Sequence, residues 1–253
     1  MKSSESGKKS GVTIVATSDL HGHIEGIVSE CEKNKADVLV IAGDIEPANL
    51  YVDKKAWFYQ EFYGLLEDLD SKGVEVVAIE GNHDFWLKGN YSVKPRDDKS
   101  NAGFEKVVPD NFHLLRDSGV VINGLNFYGT PWVPHINGRW CYEGADWDNS
   151  HMYNLMPEKV DVLVTHSPPR IPDSLIDVSL DDEEVYRRKF GSKSLYDEIV
   201  RKSPKVNFCG HIHSGSKDRH VVKCDNGNCI CYNVSRINEQ YRVAYPVNVL
   251  EIR

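Results

Sequence analysis

Six consecutive residues, Ile79-Glu80-Gly81-Asn82-His83-Asp84, set an amide, an imidazole and a carboxylate at the end of an apolar run that begins at Val74. A strand end is a stiff mount for reactive groups, and Gly81 lets the backbone turn there without a Cβ clash. Side chains alternate along extended backbone, so Asn82 and His83 should face different ways, one toward a metal and one toward a substrate. Alone, this run would read equally well as a polar turn. Four further clusters alter that reading: Asp19-x-His21, Gly43-Asp44, His166 and Gly210-His211-x-His213, each following an apolar stretch. Together they offer carboxylate oxygens, one amide oxygen and several imidazoles, but no thiolate. Such a donor set suits borderline divalent metals such as Mn, Fe, Zn, Co or Ni. The Asp-x-His and His-x-His spacings put both members of each pair on one side of extended backbone. A single histidine is more often a satisfied core or surface residue than a ligand. Five clusters at strand ends are hard to obtain that way.

The surrounding sequence supplies the elements that would carry these groups. Val12 to Thr17, Asp37 to Ala42 and Val74 to Ile79 read as buried strands. Helical spacing over Ile24 to Asn34 and an amphipathic run from Lys54 to Ser71 separate them. This alternation predicts parallel strands with right-handed crossovers, and ligand crevices in such sheets lie at the carboxyl ends of the strands. Residues 85–110 read as a polar surface excursion. Short strands at His113 to Leu115, Val120 to Ile122 and Asn126 to Tyr128, with Asn123-Gly124 as a hairpin turn, suggest that a second, more antiparallel sheet begins here. Pro131 to Trp147 carries Trp132, His135, Trp140, Tyr142 and Trp147 without clear periodicity, and either walls a pocket or covers a core edge. Val160 to Thr165 and Val206 to Cys209 read as strands, Lys193 to Lys202 as a helix, and residues 170–192 as a charged, mobile segment. Arg219 to Cys224 and Asn228 to Val234 flank the hairpin signal Asn226-Gly227, and Val247 to Ile252 is a closing strand. Cys224, Cys229 and Cys231 lack the second pair that a closed zinc site needs, and read as strand residues.

The 253 residues carry a net charge of −8, and 40% of them are hydrophobic, enough for one large core. The acidic balance argues against a duplex nucleic acid partner, which needs a basic face. Residues 1–11 read as a disordered tail and 12–253 as one domain. The tail does not resemble a signal peptide, and no apolar run approaches a membrane span. The six cysteines are then most simply reduced thiols in the cytoplasm.

In their order along the chain, the five clusters resemble the calcineurin-like metallophosphoesterase superfamily, whose pattern is D-x-H, G-D, G-N-H-[DE], a later H, and G-H-x-H. Tyr128-Gly129-Thr130-Pro131-Trp132, Thr165-His166-Ser167-Pro168-Pro169 and Gly210-His211-Ile212-His213-Ser214-Gly215 look most like the small metallophosphoesterase-domain-containing proteins, which are similar to class III cyclic nucleotide phosphodiesterases. The resemblance implies an α/β fold, a four-layer α-β-β-α sandwich with two mixed sheets. It implies two divalent metal ions, Mn ahead of the others. Asp19, His21 and His213 would hold one, Asn82, His166 and His211 the other, with Asp44 bridging. His83 would stand beside the leaving group, oriented by Asp84, although a turn or cap role for Asp84 stays open. The implied activity is hydrolysis of phosphodiesters, and of phosphomonoesters as a second class, by a hydroxide shared between the metals. The partner would be a small phosphate ester such as a nucleotide. Arg170, Arg187, Arg188 and Lys189 are candidates for phosphate contact or plain surface charge. One departure is Pro47, where the family often has Asp or Arg three residues beyond the bridging aspartate. Phosphoprotein phosphatase, nuclease and a non-catalytic scaffold are the competing readings. The last is disfavoured by the presence of His83.

Overall fold

The computed structural model describes residues 11–90, 108–180 and 188–253. Its first part runs β1 (Val12–Thr17), α1 (Ile27–Asn34), β2 (Val38–Ala42), α2 (Lys54–Trp57), a π-helical turn over Phe58–Phe62, α3 (Tyr63–Ser71), β3 (Glu75–Ile79) and α4 (Phe85–Asn90). There follow β4 (Phe112–Leu115), β5 (Ser118–Ile122), β6 (Leu125–Thr130), two short strands β7 (Val133–Pro134) and β8 (Glu143–Gly144), and α5 (Asp146–Tyr153). The last part is β9 (Val162–Thr165), α6 (Lys193–Lys202), β10 (Val206–Cys209), β11 (His220–Cys224), β12 (Gly227–Asn233) and β13 (Asn248–Ile252).

These strands form two large mixed sheets. The first has the order β13-β1-β2-β3-β4, with β1 to β4 parallel and β13 antiparallel at the edge. The second has the order β11-β12-β10-β9-β6-β5, with four parallel inner strands and an antiparallel strand at each edge. The two-residue alternation of side chains divides the strands cleanly. Val15, Leu39, Ile41, Val76 and Ala78 pack under α1, α3 and α4. Ile14, Ala16, Val38, Val40, Val77 and Ile79 face Phe127, Val162, Val164 and Phe208 of the second sheet. The outer face of that sheet carries Leu163 and Cys209 against Tyr153 of α5 and Leu195 and Ile199 of α6. The result is the expected sandwich of helices, sheet, sheet and helices.

Some expectations need correction. The second sheet does not begin at His113: β4 pairs parallel with β3 and belongs to the first sheet. The second sheet starts at β5 and is parallel inside, because its inner strands are joined by crossovers and not by hairpins alone. Lys54 to Ser71 is not a uniform α-helix. The π-helical turn sets Trp57 and Phe62, five residues apart, on one face with ring centroids 5.6 Å apart. Part of the excursion is regular too, as α4, and 91–107 lie outside the described residues, as do 1–10 of the expected tail. Cys224 lies on β11 and Cys229 and Cys231 on its partner β12, as the strand reading expects. All six cysteines are free. Among the described residues, no helix is long and apolar enough to cross a membrane.

Candidate metal centre

Every candidate ligand sits on a loop at the carboxyl end of a parallel strand, and β1, β2, β3, β9 and β10 open toward one another there. The loops after β1 and β2 are laced together by Asp19 N–H to Gly43 O (2.9 Å), His21 N–H to Asp44 O (2.9 Å) and Gly22 N–H to Ile45 O (3.1 Å). Asp19, His21, Asp44 and His211 all adopt left-handed backbone, with φ of 53°, 42°, 53° and 68°. Such conformers cost about 1–3 kcal/mol each and concentrate where function requires them.

The structure brings all seven expected ligands together. Ligand atoms of Asp19, His21 and His213 lie within 4.8 Å of one another, as do those of Asp19, Asp44 and His166. Asn82 Oδ1 lies 3.0 Å from His166 Nε2 and 2.8 Å from His211 Nδ1. Asp44 Oδ2 is 3.5 Å from His21 Nε2 and 3.3 Å from His166 Nε2, between the two sets. The other oxygen, Oδ1, accepts the His83 backbone N–H at 2.8 Å. His166 Nδ1 meets the Ala42 carbonyl at 2.9 Å, which fixes that nitrogen as a donor and leaves Nε2 facing the centre.

The donor chemistry fits divalent cations. Both ring nitrogens of His21 are buried without a hydrogen-bond partner among the described residues. Burial pushes the His21 imidazole down to about 4 against the pull of Asp44 and Asp19, and His211 down to about 3 with help from the charge of His166. Both are therefore neutral, with lone pairs available. Burial acts to raise Asp44 and Asp19 as well, but His166 and His21 around Asp44, and His213 and His166 around Asp19, hold both carboxylates ionised. Burial would lower His166, yet Asp44 outweighs it and lifts the ring to about 9. A buried pair of carboxylates surrounded by imidazoles calls for positive charge, which protons or metal ions can supply.

His83 is half-buried. Its ring lies edge-on to His21 at 4.8 Å and against Trp140 at 4.4 Å. Candidate ligand atoms of His83, His21 and Asp44 also lie within 4.8 Å of one another. The expected partnership of Asp84 with the His83 ring is not formed among the described residues. Asp84 Oδ1 instead accepts Ile45 N–H (2.9 Å) and Glu46 N–H (2.8 Å), and Oδ2 accepts Gly81 N–H (2.7 Å). Glu46 returns the clasp by accepting Leu87 N–H (2.6 Å) and Trp86 N–H (3.3 Å) at the start of α4. Burial, then the charges of Glu46 and Asp44, push Asp84 well above the usual carboxylate range.

Several neighbours of the site were not signalled by motifs. The Tyr241 ring lies 4.8 Å from His21 and 5.2 Å from His213. Glu239 Oε2 lies 3.8 Å from His213 Nδ1, while Oε1 accepts from Ser214 N–H and Oγ and from Ser179 Oγ. Both come from an irregular stretch beyond β12 with no apolar period. Arg170 and Lys189 do not reach toward the centre. Arg170 donates to Gly191 O, and Lys189 Nζ donates to Ile171 O, Ser174 O and Asp177 Oδ1. Arg188 lies over the Phe190 ring at 5.3 Å, and Arg187 lies outside the described residues. The 170–192 segment is itself bridged, Pro169 to Ser192 and Val178 to Lys189, with 181–187 outside the described residues.

The family profile named calcineurin-like phosphoesterase matches residues 12–215, from β1 through the Gly210-His211-Ile212-His213 loop. The chain belongs to the calcineurin-like phosphoesterase family. Human metallophosphoesterase domain-containing protein 1 is 26% identical over 251 residues, covering 94% of this chain and 70% of that protein. A UPF0046 protein of Caenorhabditis elegans is 27% identical over 199 residues, covering 71% of this chain and 46% of its own length. Among solved structures, TT1561 of Thermus thermophilus shares the fold, with a TM-score of 0.56 at 13% identity, covering 96% of this chain and all of that one. Family membership supports phosphoester hydrolysis with divalent metals, and the clustered aspartates and histidines are candidate ligands for them.

Proposed function

We propose that residues 12–253 form one catalytic domain, a binuclear metal-dependent phosphoesterase that favours phosphodiesters. Asp19, His21 and His213 would hold one cation, Asn82, His166 and His211 the other, and Asp44 would bridge. The observation that carries this reading is the position of Asp44 Oδ2, within 3.5 Å of a histidine from each set. When bound, the two cations supply Lewis acidity, polarising the phosphoryl group and acidifying a water nucleophile. The nitrogen and oxygen donors suit Mn, Fe, Zn, Co or Ni, and Mn is favoured.

The chain's own residues would do the rest. The oxygen of water forms the new bond to phosphorus and gives up a proton to solvent as the ester P–O bond breaks. The leaving oxygen departs on the side of His83, whose ring would donate its N–H proton to it and be reprotonated from solvent, so that the alcohol leaves neutral. Asn82, a neutral ligand, leaves the site less negative than another carboxylate would, which favours approach of a phosphate anion. The Asp84–Glu46 clasp holds the loops after β2 and β3, and so fixes Asp44 and His83 relative to each other. A cytoplasmic location, where thiols stay reduced, is part of this proposal.

The test is metal analysis of the purified chain together with hydrolysis of bis(p-nitrophenyl) phosphate, a matched monoester and 2′,3′- and 3′,5′-cyclic nucleotides in Mn. The expected result is turnover that needs added metal and is greatest on diesters. Tight binding of two metals without turnover of any ester would overturn the catalytic reading and favour a scaffold.

A further inference from the structure

A cleft of about 700 Å³ opens directly beside His83. Trp140, Trp86, Phe85 and Tyr241 wall it, with Pro47 and Leu50 toward the rim. This lining is aromatic to an extent that a passage for phosphate alone does not require. The volume falls in the range of sites that enclose a ligand of nucleoside size.

The wall is held in place by the same loops that carry the metal centre. Cys141 N–H donates to the Asn82 carbonyl at 3.0 Å, which ties the loop of Trp140 to the Asn82 backbone. Glu143 accepts the backbone N–H groups of Trp140 (2.9 Å), Ile136 (2.8 Å) and Asn137 (3.0 Å), and so shapes that loop from within. Trp140 lies at 4.4 Å from the His83 ring on one side and 6.1 Å from Phe85 on the other. Tyr241 stands across, its ring 6.3 Å from His83 and 4.8 Å from His21, at the border between cleft and metal centre. Phe85 is 51% exposed and Leu50 90% exposed, so apolar surface faces solvent at the mouth, where burial by a ligand would be favourable.

We infer that this cleft binds the leaving group of the substrate, and that the leaving group carries a planar aromatic ring. The inference rests on the phosphoesterase reading for its direction only: an ester oxygen departing beside His83 points its substituent into the cleft. Two sources share the chemistry, a nucleobase and a simple aryl or benzyl group. Stacking on Trp140 and Tyr241 recognises either, since each presents a π-face.

The test is equilibrium binding to the full chain in Mn, by calorimetry, with two ligand pairs. Benzylphosphonate is compared with propylphosphonate, whose P–C bonds resist hydrolysis, and 5′-AMP with ribose 5-phosphate. The ring-bearing member of each pair is expected to bind roughly tenfold tighter, as base–aromatic stacking would give. Preference confined to the 5′-AMP pair assigns a nucleobase, and preference confined to the phosphonate pair assigns a simple aromatic. Equal affinities within both pairs overturn the inference. Trp140→Leu and Tyr241→Leu should each shrink the preference several-fold, and a preference untouched by both places the ring elsewhere and overturns it. Because binding needs no turnover, ring preference in a chain that hydrolyses nothing would sink the hydrolase reading alone. Hydrolysis without ring preference would sink this inference alone.

Discussion

His83 and Asp84 are neighbours in sequence but serve different structures, and substitution separates them. His83 borders both the candidate metal centre and the aromatic cleft, so on the proposed mechanism His83→Ala should keep both metals while losing the N–H that would serve the departing oxygen. The expected loss in kcat is ~10²–10⁴-fold on an alkyl ester and much less on a p-nitrophenyl ester, whose leaving group needs little help. Rates on the two esters together with metal content check this, and equal loss on both would remove His83 from the leaving-group role. Asp84, by contrast, is committed to three backbone N–H groups. Asp84→Asn turns one acceptor into a donor facing those groups, and should cost about 1–3 kcal/mol in unfolding free energy. Urea denaturation measures it, and unchanged stability with reduced kcat would restore the orienting role. At this scale the ligands were legible because each is a polar group that abruptly ends an apolar run. Trp140 was legible only as one of several aromatics that could wall a pocket, and Tyr241 and Glu239 were not legible at all. They come from irregular backbone far along the chain, and only the folded loops bring them to the histidines.

Elements bring the ligands close only where the backbone carries no side chain. A Cβ on Gly81 would meet Asp44 Oδ1, Asp44 N (2.5 Å) and His166 Cε1 (2.7 Å), and one on Gly210 would meet Ser18 Oγ and Asp19 Oδ2. Neither neighbour can yield without moving a candidate ligand. Gly81→Ala should therefore push the β2 and β3 loops apart and cost ~1–3 kcal/mol, as overpacking usually does. Thermal unfolding and metal stoichiometry check it, with fewer than two metals retained. A variant that keeps both metals and wild-type stability would show that these loops are looser than their contacts imply. The strands and α6 were readable from period and length, and α6 begins and ends where the pattern places it. Helix α5 was hidden because the residues it buries are Asn149 and Tyr153, while its Trp147 is exposed. The β4 strand was legible as a strand but not as a member of the first sheet. Its parallel pairing is with β3, a strand distant in sequence, and not with the strand across the hairpin signal that follows it.

Across the whole molecule, the candidate metal centre lies where the two sheets meet at their carboxyl ends, and so on the proposed reading metal should report on global stability. Asp19 and His21 follow β1, Asp44 follows β2 and Asn82 follows β3, while His166 follows β9 and His211 and His213 follow β10. Each proposed cation thus draws donors from both sheets, and unfolding would release it. A ligand that binds only the folded state stabilises it by about 2.7 kcal/mol at a hundred times its Kd. For a chain of this size each kcal/mol moves Tm by about 2–4 °C. Saturating Mn should then raise Tm by roughly 5–10 °C over the EDTA-treated chain if one site dominates, and further if both fill. Asp44→Asn keeps the shape but removes the shared charge, so most of the Mn-dependent rise, measured from each protein's own metal-free Tm, should vanish; the metal-free Tm should fall as well, because the buried pairing with His166 is lost. Scanning calorimetry of both proteins, with and without Mn, makes the comparison. An Asp44→Asn chain that still gains the full rise would mean that the carboxylate does not join the two sets of histidines.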